Sequence, residues 1–375
     1  MAEGRVEPGF EGVRDEFEAV LSAADDEGAG FAAVVDGRPV VDLWGGLADN
    51  RTSTAWQEHT AAVVFSGSKG IVATLALLLA QRGILGFEAR VADAWPEFEA
   101  GGKGDITVAQ LLSHAGGLPA VERLLRAVDM ARPRWISGLL ARQRPMVPIG
   151  TPCYHAITYG WLASELFVRT DGRPAARLVE IELKRECGLD IAIGINARGL
   201  APDTLAHLRT SRDFQLSAFL AGPPDPRLKL VYHNPPLQPN DWNDPELLAL
   251  QVPAVNAVAT ARSLAAMYGQ LVVRDDPLVA PEWVLRGRAE ASAGHDPLSG
   301  RHLRFGPTGF ELAGTPSTLG PPADAFGHTG SGGTSHGAWP GLRTGFSFVT
   351  ARLLPETTDG RAGALLSALH KVVAG

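Results

Sequence analysis

The dipeptide Asp36-Gly37 stands between two short apolar segments, Phe31–Val35 and Pro39–Trp44. An Asp-Gly pair favours the tight turn whose twist matches that of two antiparallel strands. The sequence therefore predicts a β-hairpin near the N-terminus. A helix is predicted just before the hairpin, because the apolar residues of Glu11–Ala24 recur at helical spacing.

The C-terminal part of the chain has the same character. Strand-like segments occur at Gly309–Leu312, Gly337–Trp339 and Gly345–Thr350, and Gly360–Val373 has the spacing of a closing helix. Most periodic segments between Val63 and Arg274 are helical: Gly70–Arg82, Thr107–His114, Ile157–Val168, Ala176–Glu186 and Ala261–Val273. We therefore predict an α/β (α+β) fold, in which both chain ends build an antiparallel sheet flanked by helices and a mostly helical domain is inserted between them.

The length of 375 residues allows two lobes of ordinary size. We assign residues 1–62 and 300–375 to the α/β domain and residues 63–299 to the mostly helical domain, with the functional site between them. A proline-rich stretch, residues 222–244, is predicted to be a loop. Either it forms a pocket wall or it is a simple surface connection.

Charge and hydropathy argue against two classes of partner. The net charge is −7 and the arginines are scattered, so no basic stripe is available for nucleic acid. The longest apolar stretch, Ile71–Ala80, is much shorter than the roughly 20 residues that a bilayer requires, which argues against a membrane protein.

The acidic segment Met1–Phe17 does not resemble a secretory signal, so we expect a cytoplasmic protein. Cys153 and Cys187 are then expected to be free thiols, and we expect no metal cluster.

The first candidate for chemistry is Ser66-Gly67-Ser68-Lys69, at the start of an apolar helix. Ser66 and Lys69 are three residues apart and share a helix face. A lysine in a dry site loses its preference for the charged form and can take the proton of a serine nucleophile. The alternative is a helix-capping serine followed by a solvated lysine.

Two further segments could contribute to the same site. Tyr154 precedes a predicted helix, and a phenol with a lowered pKa could relay protons, although such tyrosines are usually packing residues. The glycines of Gly327–Gly333 would allow a strand to approach a ligand closely and offer it N–H groups. The alternative for this segment is a glycine-rich turn.

In this order the three segments resemble the serine β-lactamase and penicillin-recognising superfamily, most closely its class C-like branch and the family VIII carboxylesterases. The resemblance extends over nearly the whole chain. It includes Asp105–Pro119, which is similar to a landmark segment of that branch, and Tyr154–Trp161, which looks like the esterase-type members.

The resemblance implies a role for each segment. Ser66 would be the acylated nucleophile, and Lys69 and Tyr154 would handle its proton jointly, since the acylation base of this superfamily is disputed. The N–H groups of Ser66 and Ser331 would form the oxyanion hole. No metal or organic cofactor is implied.

Two positions depart from the β-lactamase pattern. The second motif of those enzymes is Tyr-x-Asn, but Ala156 replaces the asparagine and offers no amide to a substrate. The third motif is Lys-Thr-Gly, which here reads His328-Thr329-Gly330, and a histidine is largely neutral at pH 7. We expect His328 and Gly330 to contribute to substrate binding, but without a fixed cation for a carboxylate.

We therefore predict a serine hydrolase that cleaves small-molecule carboxylic esters through an acyl-enzyme on Ser66. A transacylase that passes the acyl group to an amine or alcohol in a biosynthetic pathway is the close alternative, ahead of an amide hydrolase or β-lactamase. A noncatalytic binding protein is disfavoured, because a binder needs no nucleophile with its proton partners.

A rival nucleophile lies in Gly333-Thr334-Ser335-His336-Gly337, which matches the G-x-S-x-G elbow of α/β-hydrolases. That elbow requires a strand-to-helix turn, with an acid and a histidine later in the chain. A second strand follows Ser335 instead, so we interpret the match as coincidence.

Overall fold

A computed structural model describes residues 1–23, 28–201, 203–214, 225–314 and 317–375. Its main feature is an antiparallel sheet that combines strands from both chain ends, as predicted. In spatial order the strands are β1 (Glu3–Val6), β3 (Arg38–Gly45), β2 (Ala29–Val35), β15 (Thr344–Thr350), β14 (Thr334–Trp339), β13 (Phe326–Gly330), β12 (Glu311–Leu312), β11 (His302–Phe305) and β10 (Ser292–His295). The short strands outside this sheet are β4 (Leu47–Asp49), β5 (Thr54–Ala55), β6 (Ala62–Val63), β7 (Ile191–Ile193), β8 (Arg209–Thr210), β9 (Ala257–Ala259) and β16 (Arg352–Leu353).

The predicted N-terminal hairpin is confirmed. Asp36 and Gly37 both have positive φ, 49° and 79°, as the tight hairpin turn requires. Strands from the N-terminal and C-terminal parts of the chain pair directly: β15 is antiparallel to β2, and Phe346 lies opposite Ala33. Pairing between strands that are some 300 residues apart in sequence closes the sheet around the inserted helical segment.

The helices account for most of the region between the two groups of strands. They are α1 (Glu11–Ala23), α2 (Gly67–Gln81), α3 (Val91–Ala94), α4 (Val108–Leu112), α5 (Pro133–Arg142), α6 (Thr158–Asp171), α7 (Ala175–Leu178, continued as a π-helix over Val179–Arg185), α8 (Pro226–Tyr232), α9 (Pro245–Leu248), α10 (Ala261–Gln270), α11 (Pro281–Gly287) and α12 (Arg361–Val373). Short 3₁₀ helices occur at Pro96–Gly102, which is kinked at Ala100 and Gly101, and at Ala127–Ala131, Pro239–Asn243 and Pro340–Leu342. The division into two domains at residues 62 and 300 stays a prediction.

The two faces of the sheet are covered by different helices. On one face α1 and α12 contribute Phe17 and Leu366 to a core with Phe31 and Phe346. On the other face α10 lies against β15 and β2, while α2 lies against β13 and β14. Helix α2 is buried from Gly67 to Ala80, which explains why its sequence is apolar on all sides.

The predicted loop over residues 222–244 is wrong in part. Residues 222–224 lie outside the described ranges, but Pro226–Tyr232 forms helix α8. The side chain of Asp225 caps this helix by accepting the N–H of Arg227, and Pro226 occupies the first helical position, where its missing N–H is not needed. The prediction treated each proline as a helix breaker, whereas proline is well tolerated at the first position of a helix.

Both cysteines are free thiols, Cys153 buried and Cys187 exposed. In the described ranges no helix has the length and apolarity needed to cross a bilayer. The described residues also contain no group of three or more His, Cys, Asp or Glu side chains placed to hold a metal ion.

Gly345 tests the contact that joins α10 to the sheet. A Cβ atom there would lie 2.2 Å from the backbone nitrogen of Gly269 and 2.4 Å from the carbonyl oxygen of Ala265. We expect Gly345→Ala to lower the free energy of unfolding by about 1–3 kcal/mol, because two backbones must separate. Gly363→Ala is the control, since a Cβ on this position of α12 meets nothing within 4 Å; urea unfolding should show equal or greater stability for it. Equal stability of Gly345→Ala and the parent protein would contradict the close contact.

Candidate active site

The turn before α2 presents Ser66 under backbone constraint. Phe65, the preceding residue, has φ of +45°, a conformation that costs energy for a bulky side chain and persists where the surroundings impose it. The N–H groups of Gly67 and Ser68 bond to the carbonyls of Val64 and Phe65, each at 2.9 Å. Among the described residues the Ser66 side chain makes no capping hydrogen bond, so the alternative of a capping serine is wrong.

Lys69 is fully buried and not solvated. Its Nζ atom donates to Ser66 Oγ at 3.0 Å and to the carbonyl oxygens of Ala156 and Ala254 at 2.8 Å and 3.0 Å. Burial holds the pKa of Lys69 well below its usual value, and the charge of Glu311 offsets only part of that effect. A neutral amine has only two hydrogens; when both are donated to the carbonyls, its lone pair faces Ser66 Oγ and the serine hydroxyl becomes the donor. This arrangement allows the amine to act as a base toward the serine hydroxyl.

Tyr154 lies on the other side of Ser66. Its ring centroid is 4.9 Å from the Nζ atom of Lys69, and Tyr154 and Ser66 line the same cavity. Burial raises the pKa of Tyr154 well above its usual value, and its interaction with the Ser66 hydroxyl opposes this only in part. The expected lowered pKa is therefore wrong, because the sequence could not show how dry this position is. A protonated phenol here can donate a proton and recover it, but it does not rest as a phenolate.

Three hydrogen bonds donated by backbone N–H groups hold the segment around Tyr154. The N–H of Cys153 donates to the carbonyl of His114 at 2.9 Å, and that of His155 donates to His114 Nδ1 at 3.0 Å. The N–H of Tyr154 donates to Asp296 Oδ2 at 3.0 Å. Burial keeps the pKa of His114 well below its usual value, so the ring is neutral and Nδ1 can accept. The segment Asp105–Pro119 thus contributes the residue that places Tyr154.

The glycine-rich segment forms the end of β13 against the start of α2. A Cβ atom on Gly330 would lie 2.3 Å from the carbonyl oxygen of Val64 and 3.3 Å from the nitrogen of Gly67. Only glycine allows this approach. It brings Ser331 next to Ser66, and both residues line the same cavities.

His328 on β13 is buried and neutral. Its Nδ1 lies 2.7 Å from the carbonyl oxygen of Thr329. Burial lowers the pKa of His328 to about 4, and the nearby carboxylate of Glu311, 3.9 Å from Nδ1, opposes that shift. The imidazole therefore carries no charge at pH 7 and does not replace the lysine of the β-lactamase motif.

A cation that the sequence analysis missed lies in the same cavity. Arg301, between β10 and β11, lines the cavity together with Glu311 and Glu356. The expectation that the site lacks a fixed cation is therefore wrong. Neither Arg301 nor Glu356 belongs to a motif, so their sequence context carries no signal. Glu311 did carry a signal in the sequence, because a carboxylate inside a predicted strand is unusual.

Two cavities open beside Ser66. The first has a volume of about 160 Å³ and is lined by Tyr154, His328 and the charged residues just described. The second has a volume of about 70 Å³ and is lined mainly by apolar side chains, among them Trp242. Part of the predicted proline-rich loop, Pro235–Trp242, contributes to the wall of the second cavity, so the pocket-wall alternative holds for that part.

Arg361, the first residue of α12, fixes the turn that follows Ser331. Its guanidinium is largely buried and donates to the carbonyl oxygens of Gly332 and Arg352 at 2.9 Å and 3.0 Å. Asp359 accepts from the same group at 2.7 Å. A fork of fixed donors of this kind sets the position of the carbonyls that it binds.

The rival nucleophile is excluded by its surroundings. Ser335 lies near the start of β14, is buried, and donates its hydroxyl to the carbonyl of Thr318 at 3.1 Å. Its neighbour His336 bonds to Ser347 Oγ at 2.7 Å and, by strand alternation, belongs to the opposite face of the sheet. The strand-to-helix turn of an elbow is absent from this described segment.

A sheet built from both chain ends and a serine bonded to a buried lysine define a serine hydrolase of the β-lactamase fold. The family model described as "Beta-lactamase" matches residues 15–370. The chain belongs to this family and is an enzyme.

Similar proteins agree with this assignment. "Esterase/beta-lactamase LipL" of Mycobacterium tuberculosis (strain ATCC 25618 / H37Rv) is 31% identical, over 96% of this chain and 85% of that protein. The solved structure of a family VIII carboxylesterase is 30% identical with a TM-score of 0.91, over 99% of this chain and 100% of that one. A penicillin-binding protein homologue from Caulobacter crescentus is 30% identical with a TM-score of 0.88, over the same shares of the two chains. EstA from Arthrobacter nitroguajacolicus Rue61a is 29% identical with a TM-score of 0.87, over 99% and 98% of the two chains.

Proposed function

We propose that this enzyme hydrolyses carboxylic esters through an acyl-enzyme on Ser66. The observation that carries the proposal is the 3.0 Å hydrogen bond between Ser66 Oγ and the fully buried Nζ of Lys69. An amine whose pKa is held low by burial can accept the serine proton at neutral pH. The esterase names of the similar proteins support the same reaction class.

In acylation, Ser66 Oγ attacks the ester carbonyl carbon as its proton passes to the Lys69 and Tyr154 pair. The negative oxygen that forms is stabilised by the N–H groups of Ser66 and Ser331. When the carbon–oxygen bond to the alcohol breaks, the Tyr154 hydroxyl supplies the proton to the leaving oxygen. Tyr154 then recovers a proton from Lys69, so the pair returns to its starting state once the alcohol has left.

Deacylation repeats these steps with water as the nucleophile. The Lys69 and Tyr154 pair removes a proton from the water as it attacks the acyl carbon. Collapse of the tetrahedral intermediate returns the proton to Ser66 Oγ and releases the carboxylic acid. The same residues therefore act as base and then as acid in each half of the cycle.

Esters are favoured over β-lactams by two positions. Ala156 has no side-chain amide to hold an acylamino group, and its carbonyl is already occupied by Lys69. His328 is neutral and buried. Each missing polar contact typically costs about 1–3 kcal/mol of binding.

Acyl transfer to an alcohol or amine is the second candidate. The observation that favours it is the cavity of about 160 Å³ on the Tyr154 side of Ser66, which can hold an acceptor after the first alcohol leaves. Product analysis with an added alcohol separates the two reactions, because transfer yields a new ester and hydrolysis yields only the acid.

Replacement of the nucleophile tests the assignment. We expect Ser66→Ala to lower kcat/KM for a short-chain aryl ester on the order of 10³-fold or more, because no acyl-enzyme can form. Ser335→Ala is the matched control and should keep most of the activity. Intact-protein mass spectrometry of the parent enzyme with an activated ester should show one acyl adduct, and peptide mapping should place it on Ser66. An adduct on Ser335, or full activity in Ser66→Ala, would refute the proposal.

The pH profile tests the role of Lys69. The lysine acts as a base only when neutral, so kcat/KM should fall as the pH drops through its lowered pKa. His328 has a pKa of about 4 and is neutral across the usual range, so His328→Gln should leave the acidic limb of the profile in place. Lys69→Ala should lose about 10²–10⁴-fold in kcat. A limb that disappears in His328→Gln would assign the titration to the histidine instead.

A further inference from the structure

Ser66 lies where two cavities of opposite chemistry meet. Ser66, Tyr232 and Ser331 line both cavities, so a substrate bonded to Ser66 extends into each. The smaller cavity is walled by Met130, Ile157, Leu237, Trp242, Val252 and Val255. The larger one contains Arg301, Glu311 and Glu356. The two halves of an ester therefore meet different surroundings.

The position of Tyr154 decides which half enters which cavity. Tyr154 lines the larger cavity and is not part of the wall of the smaller one. A group that protonates the leaving oxygen must lie within hydrogen-bond reach of it. The alcohol half therefore lies in the larger, polar cavity and the acyl half lies in the smaller, apolar one.

The smaller cavity suits a short apolar acyl chain. None of the described residues that line it is charged. Trp242 and Val252 are buried and close its inner wall. Its volume of about 70 Å³ holds about five to seven groups of the size of water, at roughly 10–15 Å³ each. A charged acyl group would lose its hydration there without gaining a partner.

The larger cavity offers donors and acceptors of both charge signs. Burial alone would lower the pKa of Arg301, but Tyr232, Glu356 and Glu311 raise it, so the guanidinium stays charged. Glu311 accepts from the N–H and the hydroxyl of Thr329 at 3.1 Å and 3.0 Å, which fixes its carboxylate at the cavity wall. Burial raises the pKa of Glu356, which favours its neutral form and leaves one cation, Arg301, and one anion, Glu311, among these three residues. A ligand that brings a further charge of either sign is repelled by one member of that pair. A neutral alcohol with additional hydroxyl groups can form hydrogen bonds with both carboxyl groups and accept from the guanidinium.

We propose that the substrates of this enzyme join a short apolar acyl group to a neutral hydroxylated alcohol. The acyl chain occupies the cavity closed by Trp242, and the alcohol lies among Arg301, Glu311 and Glu356. The proposal rests on the acyl-enzyme mechanism at Ser66 and adds the substrate class to it.

Matched butyrate esters test the alcohol half. 1-Glyceryl butyrate and propyl butyrate share the acyl group and a three-carbon alcohol, and differ by two hydroxyl groups. We expect kcat/KM to be at least about fivefold higher for the glyceryl ester, since each hydroxyl gains a hydrogen bond. Butyrylcholine and the butyrate ester of glycolate should fall below the glyceryl ester. A propyl ester hydrolysed as well as the glyceryl ester, or a charged ester preferred over it, would overturn the proposal.

Glu356→Gln connects that preference to the cavity. The change keeps the shape of the side chain and replaces its carboxyl group, whose pKa is raised by burial in the cavity, with a neutral amide. We expect the ratio of glyceryl to propyl kcat/KM to fall several-fold, and a ratio equal to that of the parent enzyme would overturn the assignment of this residue. If no ester acylates Ser66, the proposed function itself fails; turnover of both esters without a preference overturns only the substrate class.

Glyceryl esters of increasing acyl length test the acyl half. We expect kcat/KM to rise about fourfold per methylene from acetyl to butyryl and to decline beyond about five carbons. Trp242→Ala should move the optimum to longer chains, because it opens the wall of the cavity. Trp283→Ala is the control. Trp283 lies on α11, packs against Phe87 and Arg286, and lines neither cavity. An unchanged optimum in Trp242→Ala, or the same shift in the control, would overturn the acyl assignment.

Discussion

The burial of the Lys69 amine beside Ser66 is the interaction on which the rest of the site depends. Removing an amine from water is costly unless its hydrogens find partners. Here the partners are the carbonyls of Ala156, just before α6, and Ala254, just before β9. Both segments must therefore reach the first turn of α2, although they are 87 and 185 residues away in sequence. Much of the helical region acts as the enclosure of this one group.

Two glycines, which have no side chain, make the close packing around Lys69 possible. A Cβ atom on Gly70 would overlap the hydroxyl of Tyr268 on α10, and one on Gly330 would overlap the carbonyl oxygen of Val64. Helix α2 can thus be approached closely by both the sheet and α10. The distances around Ser66 are set by backbone contacts, which hold reacting atoms more firmly than flexible side chains do.

Features encoded in short stretches of sequence were predictable. The hairpin at Asp36-Gly37 was one, and the pairing of Ser66 with Lys69 was another, because three-residue spacing on a helix fixes their proximity. Arg301 and Glu356 were not predictable, since long-range strand pairing brings them to Ser66 from segments without a motif. The direction of the Tyr154 pKa shift was wrong for a related reason. Burial is a property of the assembled core and not of the residues next to Tyr154 in sequence.

Because Arg361 is synthesised long after Ser66, part of the site is completed late in synthesis. Ser66 and Lys69 leave the ribosome early, but the turn that follows Ser331 is held by the guanidinium of Arg361, almost 300 residues later. Strand β15, which closes the sheet onto β2, is also made late. A nascent chain that carries only Ser66 and Lys69 therefore lacks Ser331, the proposed second donor of the oxyanion hole, and the guanidinium that holds the turn after it. Under the proposed mechanism, the growing polypeptide does not react with esters until helix α12 has begun to form.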